Sequence, residues 1–548
     1  MMKTCVVSGK PFEITEDDVR FYEKMGVPIP TLCPSERERR RIAFRNDRNL
    51  YNRTCDATGK NIISMFSKDV PFLVYDQSYW WGDSWNPIEF GRDFDFSRPF
   101  FEQFEELQNV VPRFNCTVTR CENCDYNNFC VDSRNCYLSQ RIGGSENAYY
   151  SYLSISNRDI TDCYNVSDSE LLYECVDCRK CYDGKFLQNC DNCANCSFCK
   201  NCVGCHDCFG CVNLRNKQYY FLNKELSKAE YKKKLAELGL SRDSKLSGMR
   251  KYFCEFAQKF PHKFMEGIQN QNVSGNYLSG CKNVQESYDC QKCEDQKHCW
   301  GHVAGKNSMD TAFNYHCENC YEFASGIRSQ ELRFCFNTLD GCHNLTYCVD
   351  CVNGAHDLFG CIGLKHAQYC ILNKQYSKQE YEKLRDKIIK HMKQTGEWGE
   401  YFPINISPFA YNETVAQEYY PLTKTEVLKR GCRWKEEEKK DYRSATVESL
   451  PDDIVDVSDS ICKEVLACDV CGKNYQVQSQ GLKFYQKMNI PIPHQCPSCR
   501  HAERVKLRNT RDLWDRKCDK CSVEIQTTFA PNRPEKVYCE KCYLDCVN

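Results

Sequence analysis

Along residues 116–211 the small or apolar positions recur every three residues. Cys190, Cys193, Cys196, Cys199, Cys202, Cys205, Cys208 and Cys211 keep that step without interruption. The same phase runs back through Cys181, Cys178, Cys175 and Cys163 to Cys136, Cys130, Cys124 and Cys121. Between them it passes through Ile142, Ser145, Ala148, Ser151, Ser154, Ile160, Val166, Ser169, Leu172, Gly184 and Leu187. A helix repeats its faces every three to four residues and a strand every two, so neither sustains a period of three. The pattern predicts a tightly coiled chain, a narrow β-solenoid, with one compact side chain turned inward at each step. Asn189, Asn192, Asn195 and Asn201 precede cysteines and suit left-handed corners. Asn127 and Asn157 break the small-residue phase and are expected at corners.

A second stretch carries the pattern with fewer cysteines. Cys281, Cys290, Cys293, Cys299, Cys317, Cys320 and Cys335 share one phase, joined by Val284, Ser287, Gly305, Ser308, Thr311 and Leu332. Cys342, Cys348 and Cys351 follow one residue out of phase, which predicts a bulge near Gly341. Both stretches close on one motif. FGCVNLRNKQYYFLNKELSKAEYKKKL begins at Phe209, and FGCIGLKHAQYCILNKQYSKQEYEKL at Phe359. Each ends in a capping box, Ser227-x-x-Glu230 or Ser377-x-x-Glu380, that opens an amphipathic helix. A repeating body followed by a different terminal element is the logic of a capped solenoid.

The chain ends are duplicated too. Residues 5–55 overlay 468–518 without a gap, with FYEKMGVPIP matching FYQKMNIPIP and Cys33-Pro-Ser matching Cys496-Pro-Ser. The expected order is a metal-poor finger pair over 1–79, an aromatic connector over 80–115, a first solenoid over 116–221 and a helical cap over 222–265. A second solenoid over 266–372, a helical cap over 373–395, a connector and charged linker over 396–461, and a metal-binding pair over 462–548 complete it. The fold class is mainly β with α. The tryptophan-rich connectors should be buried along the solenoid flanks, and 433–461 reads as a loosely ordered linker.

Composition narrows the chemistry. The chain has 548 residues, 44 of them cysteine, and a formal net charge of −1, so no global field gathers nucleic acid. No stretch reads as a signal peptide or a membrane span. The expectation is a cytoplasmic protein without membrane contact, in which thiols stay reduced and cysteine pairs read as metal ligands or small hydrophobes.

Cys468-x-x-Cys471 with Cys496-x-x-Cys499, and Cys518-x-x-Cys521 with Cys539-x-x-Cys542, are paired knuckles. Each pair of knuckles supplies four thiolates for a tetrahedral zinc, giving about two structural ions with no open coordination position. The segment CDVCGKNYQVQSQGLKFYQKMNIPIPHQCPSCR resembles treble-clef domains of the zinc-ribbon type, over roughly residues 465–505 and again over 3–45. Taken whole, the chain resembles uncharacterised Cys-rich zinc-ribbon proteins of small-genome bacteria. That resemblance implies zinc binding and no reaction. The N-terminal copy departs from it: Ser8, Glu36 and Thr58 replace cysteines, and Asp76 and Tyr79 stand in place of Cys539 and Cys542. It is expected to fold like its partner without holding zinc tightly.

For the triplet cysteines, filling a thin core is preferred to clustering soft metal or redox work, because Val, Ser and Gly replace them freely. Cys116-x4-Cys121-x2-Cys124 matches part of a plant-type iron–sulfur spacing, and chance accounts for a match that short. No catalytic motif is found, and His206-Asp207 and His356-Asp357 read as turns. Arg500, Arg504, Lys506, Arg508 and Arg511, with Arg41, Arg45 and Arg48 in the other copy, follow the second knuckles and are candidate phosphate ligands. A solvated helix face with acidic partners is the plainer reading. The first expectation is a non-enzymatic zinc-binding scaffold for a protein partner. The alternatives are a nucleic-acid or ribosome-associated protein acting through the arginine helices, and a metal-buffering or redox protein.

Overall fold

A computed structural model describes residues 1–313, 321–322, 334, 343–436, 444–447 and 449–547. Residues 116–221 and most of 267–371 form a β-solenoid in two runs. Its repeat is twelve residues: Tyr152 pairs with Tyr164 and Tyr164 with Val176 in parallel register, and Asn135 bonds Asn147 across a spacing of 12. With an inward side chain every third residue, each coil has four inward slots. Coils stack at the ordinary strand spacing of about 4.8 Å.

The period of three comes from the backbone. The residue before each inward position is left-handed, as at Asn189 (φ 52°), Asn192 (53°), Asn195 (52°) and Asn201 (54°). Asparagine adopts that region readily. Tyr150, Phe186 and Phe198 adopt it too, each with its N–H held by a carbonyl in the preceding coil, as Tyr150 N–H is by Tyr137 at 3.0 Å. Asn and Asp side chains also stack from coil to coil, Asn147 on Asp159 at 2.7 Å and Asn165 on Asp177 at 2.6 Å.

Every cysteine of the 190–211 run is buried. The thiols bond as well as fill. Cys190 Sγ donates to the carbonyls of Gln188 and Cys199, both at 3.4 Å, and Cys193 Sγ to those of Asp191 (3.5 Å) and Cys202 (3.4 Å). Serine does the same from the same slots, Ser139 Oγ reaching Tyr137 O at 3.1 Å and Ala148 O at 3.0 Å. It also accepts the inward N–H one coil on, that of Ser151, at 3.1 Å. Asn127 and Asn157 are inward, not at corners. They are almost fully buried, Asn127 Nδ2 donating to Cys136 O at 2.9 Å and Asn157 Nδ2 to Val166 O at 3.0 Å. An inward amide is tolerated because both of its ends find backbone partners.

Of the second run, Cys317, Cys320, Leu332, Cys335 and Cys342, and the bulge expected near Gly341, lie outside the described residues. A slip not expected from sequence occurs further on. Leu345 pairs with Leu358, a step of thirteen, and the extra residue is taken up at Gly354 (φ 76°).

Each run ends in an antiparallel return, Tyr220–Phe221 with Lys224–Glu225 and Cys370–Ile371 with Lys374–Gln375. At each return the Asn of the shared LNK motif replaces a missing rung. Asn223 accepts from Val212 N–H (2.7 Å) and donates to Val212 O (2.9 Å), while Asn373 does the same to Ile362 (2.7 and 2.8 Å). The helices Lys228–Glu237 and Lys378–Thr395 follow, each with its capping box formed.

The two runs lie side by side and antiparallel. Arg141, early in the first, stacks 4.1 Å from the Phe313 ring of the second, and Asn213, at the end of the first, bonds Pro261 O ahead of the second at 2.9 Å. The terminal modules clasp both. Each has a hairpin, two helices, a second hairpin and a final short strand. In the N-terminal module these are Met2–Thr4 with Pro11–Glu13, Glu16–Met25, Pro34–Ile42, Tyr51–Thr54 with Asn61–Ser64, and Val74–Tyr75. The final strand pairs with Arg113–Phe114 at the start of the first run, and the C-terminal counterpart Val537–Tyr538 pairs with His262–Lys263 at the start of the second. The connectors are buried only in part: Trp80 and Trp398 are buried, Trp81 and Trp85 are half-buried, and Phe96 is exposed. The linker differs: Ile454 and Ile461 are buried in the core of the C-terminal module, and Asp452 and Asp453 bond Ser244 and Arg242. These two carboxylates serve local pairing, while Asp456 and Asp459 are exposed. Residues 437–443 and 448 lie outside the described part.

Candidate metal centres and the arginine helices

The first knuckle of the C-terminal module is a tight turn. Gly472 is left-handed (φ 68°), its N–H donates to Cys468 O at 2.9 Å, and Cys468 N–H returns to Lys473 O at 3.0 Å. This turn holds Cys468 and Cys471 on one side. Cys496 sits at the N-cap of the helix Pro497–Lys506, with Cys499 in its first turn. The positive end of a helix dipole favours thiolate there. The second set repeats the plan. Ser522 (φ 62°) takes the glycine's place, and Cys539 precedes the helix Glu540–Val547, which carries Cys542.

In each set the four sulfurs lie within 4.8 Å of one another. Cys471 and Cys496 Sγ are 3.7 Å apart, as are Cys521 and Cys539. Four sulfurs about 2.3 Å from one tetrahedral ion stand about 3.8 Å apart, so both sets are arranged to hold an ion. The inner thiol of each first knuckle is acidified. Burial works against this at Cys468, but the N–H groups of Cys496, Cys471 and Val470 hold it down at about 7. At Cys518 burial is likewise outweighed by the N–H groups of Cys539, Cys521 and Lys520, which bring it to about 6.

In the N-terminal module Ser8 Oγ lies 3.6 Å from Cys33 Sγ. The Glu36 carboxylate, which stands where Cys499 does, is engaged by Arg39 and by Arg430 (3.0 Å).

The arginines of both modules have acidic partners, as the plainer reading expected, but on buried rather than solvated faces. Arg500 and Arg504 converge on Asp162 of the first run at 3.0 and 2.9 Å, with all three side chains buried. Their counterparts Arg37 and Arg41 converge on Asp310 of the second run at 2.9 and 3.5 Å, again fully buried. The aromatic contacts match: Tyr485 packs on Tyr173, and Tyr22 on Tyr321. Arg508 is shared between Asp177 of one run and Asp289 of the other. Arg511 binds Glu38 at 2.5 Å and stacks 3.3 Å from the Trp300 ring. Arg45 holds Asp47 at 2.7 Å between the Phe129 and Phe313 rings, and Arg48 reaches Glu418 at 3.9 Å. Lys506 alone of the proposed phosphate ligands is exposed. The helix faces that look basic in sequence are the faces turned to the solenoid.

Asp162 and Asp310 escaped the sequence reading. Each directly follows a short strand, Arg158–Thr161 or Lys306–Met309, outside the cysteine phase, and only matching them to the duplicated arginines would have found them. Also missed was a polar set in the inward slots of the second run. There Gln296 Nε2 lies 3.1 Å from His302 Nδ1, and Thr311 Oγ1 lies 2.9 Å from His302 Nε2. Gly305 leaves room beside it: a Cβ there would stand 2.3 Å from Gln296 Nε2, and the amide would have to move.

Comparison of the chain with protein-family models and with curated proteins gives no match. Among the described residues no helix is long and apolar enough to cross a membrane.

Proposed function

We propose that the protein is a non-enzymatic scaffold, a cysteine-lined solenoid clasped by two treble-clef modules, of which the C-terminal one is held by two structural zinc ions. The observation that carries this reading is the fate of the reactive groups. The thiols of the 190–211 run and six of the arginines on the module helices are spent on internal contacts. The two four-cysteine sets offer closed coordination with no position left for a substrate. What remains outward is a long regular flank of stacked coils, the kind of surface on which repeat proteins hold protein partners. The nucleic-acid reading is not favoured, because its proposed phosphate ligands, Lys506 excepted, are engaged by carboxylates within the molecule, and the redox reading lacks an acidified thiol in the 190–211 run open to solvent.

Elemental analysis joined to thiol titration tests this. The full chain should carry zinc of which two equivalents disappear in Cys471→Ser/Cys521→Ser, while the 190–211 thiols stay unreactive until the protein is unfolded. Iron–sulfur absorption, or zinc untouched by that double substitution, would end the reading. Salt-dependent binding of mixed RNA or DNA would restore the nucleic-acid alternative.

A further inference from the structure

The first coil of the solenoid differs from all that follow. Its inward slots hold Val118, Cys121, Cys124 and Asn127, with no coil in front of them. The second coil adds Cys130, Ser133, Cys136 and Ser139. From Ser139 to Ile160 the inward slots then hold only Ser, Ile, Ala and Asn, so these four cysteines are cut off from the long stack that resumes at Cys163. The sulfurs of Cys121, Cys124 and Cys130 all lie within 4.8 Å of one another, and Cys121 and Cys130 are 3.5 Å apart. Among the described residues the only other groups drawn together in this way are the two four-cysteine sets of the C-terminal module. The 190–211 run, with more cysteines, does not converge so. Its thiols are also buried, whereas Cys121 and Cys124 are half-exposed at the mouth of the coil.

We propose that Cys121, Cys124 and Cys130 form a third metal site, at the open end of the first solenoid run, for a thiophilic d10 cation such as zinc or copper(I). Thiolates select such ions over hard cations. Cys136, directly behind Cys124 in the next coil, is placed to supply a fourth sulfur. It lies outside the close trio. The site differs from the closed sets in two ways. It is built on coil backbone rather than on knuckles, and its outer two ligands meet solvent, so its ion exchanges more readily. The proposal stands beside the zinc reading of the C-terminal module and does not depend on it.

The test uses the full chain, stripped of metal under reducing conditions and titrated separately with zinc and with copper(I). The expected result is three equivalents for at least one of these ions, falling by one in Cys121→Ser/Cys124→Ser and by two in Cys471→Ser/Cys521→Ser. A loss confined to the second variant overturns this site alone, and a loss confined to the first overturns the C-terminal zinc reading alone. A second measurement does not depend on any variant folding. Iodoacetamide should label Cys121 and Cys124 in the stripped protein, and the bound ion should slow that labelling at least tenfold. Equal labelling with and without metal, or a Cys121–Cys130 disulfide in freshly isolated protein, would refute the site.

Discussion

At the scale of single residues the inward slot sets the terms. The N–H groups of Cys190, Cys193 and Cys208 turn to the sulfurs of Cys178, Cys181 and Cys196, one coil back. A small side chain that both donates and accepts therefore suits the slot better than a purely apolar one, and cysteine, serine and asparagine share it. Where bulk enters, a glycine yields: a Cβ at Gly184 would stand 2.6 Å from Leu187 and 2.8 Å from Leu172. His302 is the exception with a charge state. Burial holds it neutral and lowers its pKa to about 3. The folded pKa lies below the unfolded value of about 6.5, so its contribution is complete above that pH and fades as pH falls toward 3. The shift sets a ceiling of about 5 kcal/mol on that loss. Thermal melts between pH 7 and 4 should show a steeper fall for the parent than for His302→Gln. Equal slopes would mean that the imidazole is not sealed from water. The period of three was plain in the sequence because one slot in three is filled so uniformly. The polar set around His302 was not, since no local pattern says which inward residues will meet across coils.

At the scale of elements, the helices Pro34–Ile42 and Pro497–Lys506 act as paired keys, each inserting two arginines against one solenoid aspartate. Removing one partner of a buried ion pair leaves charge without compensation, at a cost of about 3–5 kcal/mol. Asp162→Ala and Asp310→Ala should each lower the melting temperature markedly, while Asp132→Ala, whose partner Arg120 is exposed, should change it little. Comparable effects at buried and exposed positions would contradict the docking scheme. The duplication of these helices was legible in sequence, as were the knuckles, because both are contiguous. The meaning of the arginines was not. A basic helix face looks the same whether it meets phosphate or carboxylate, and the deciding aspartates lie over 260 residues away, as the 338 residues from Asp162 to Arg500 and the 269 from Arg41 to Asp310 show.

At the scale of the whole molecule, each terminal module touches both coil runs, and only the C-terminal one carries four-cysteine sets. Removing metal should therefore loosen one clasp and leave the other. With a chelator present, limited proteolysis is expected to cut first within 462–548, while 1–79 stays protected by the contacts of Arg37, Arg40 and Arg41. Simultaneous release of both ends would show that the modules unfold as one unit. The coil length, the side-by-side antiparallel packing and this crossed clasp were beyond sequence reading, because each depends on contacts between distant segments.

The two asparagines that fill the last rung have a consequence for growth. A stacked coil is a template, and an uncovered final turn invites another chain to continue it. Asn223 and Asn373 satisfy with a side chain what the next strand would have satisfied with its backbone, and the antiparallel returns turn the chain aside. Addition of a further strand is thereby opposed at the trailing end of each run.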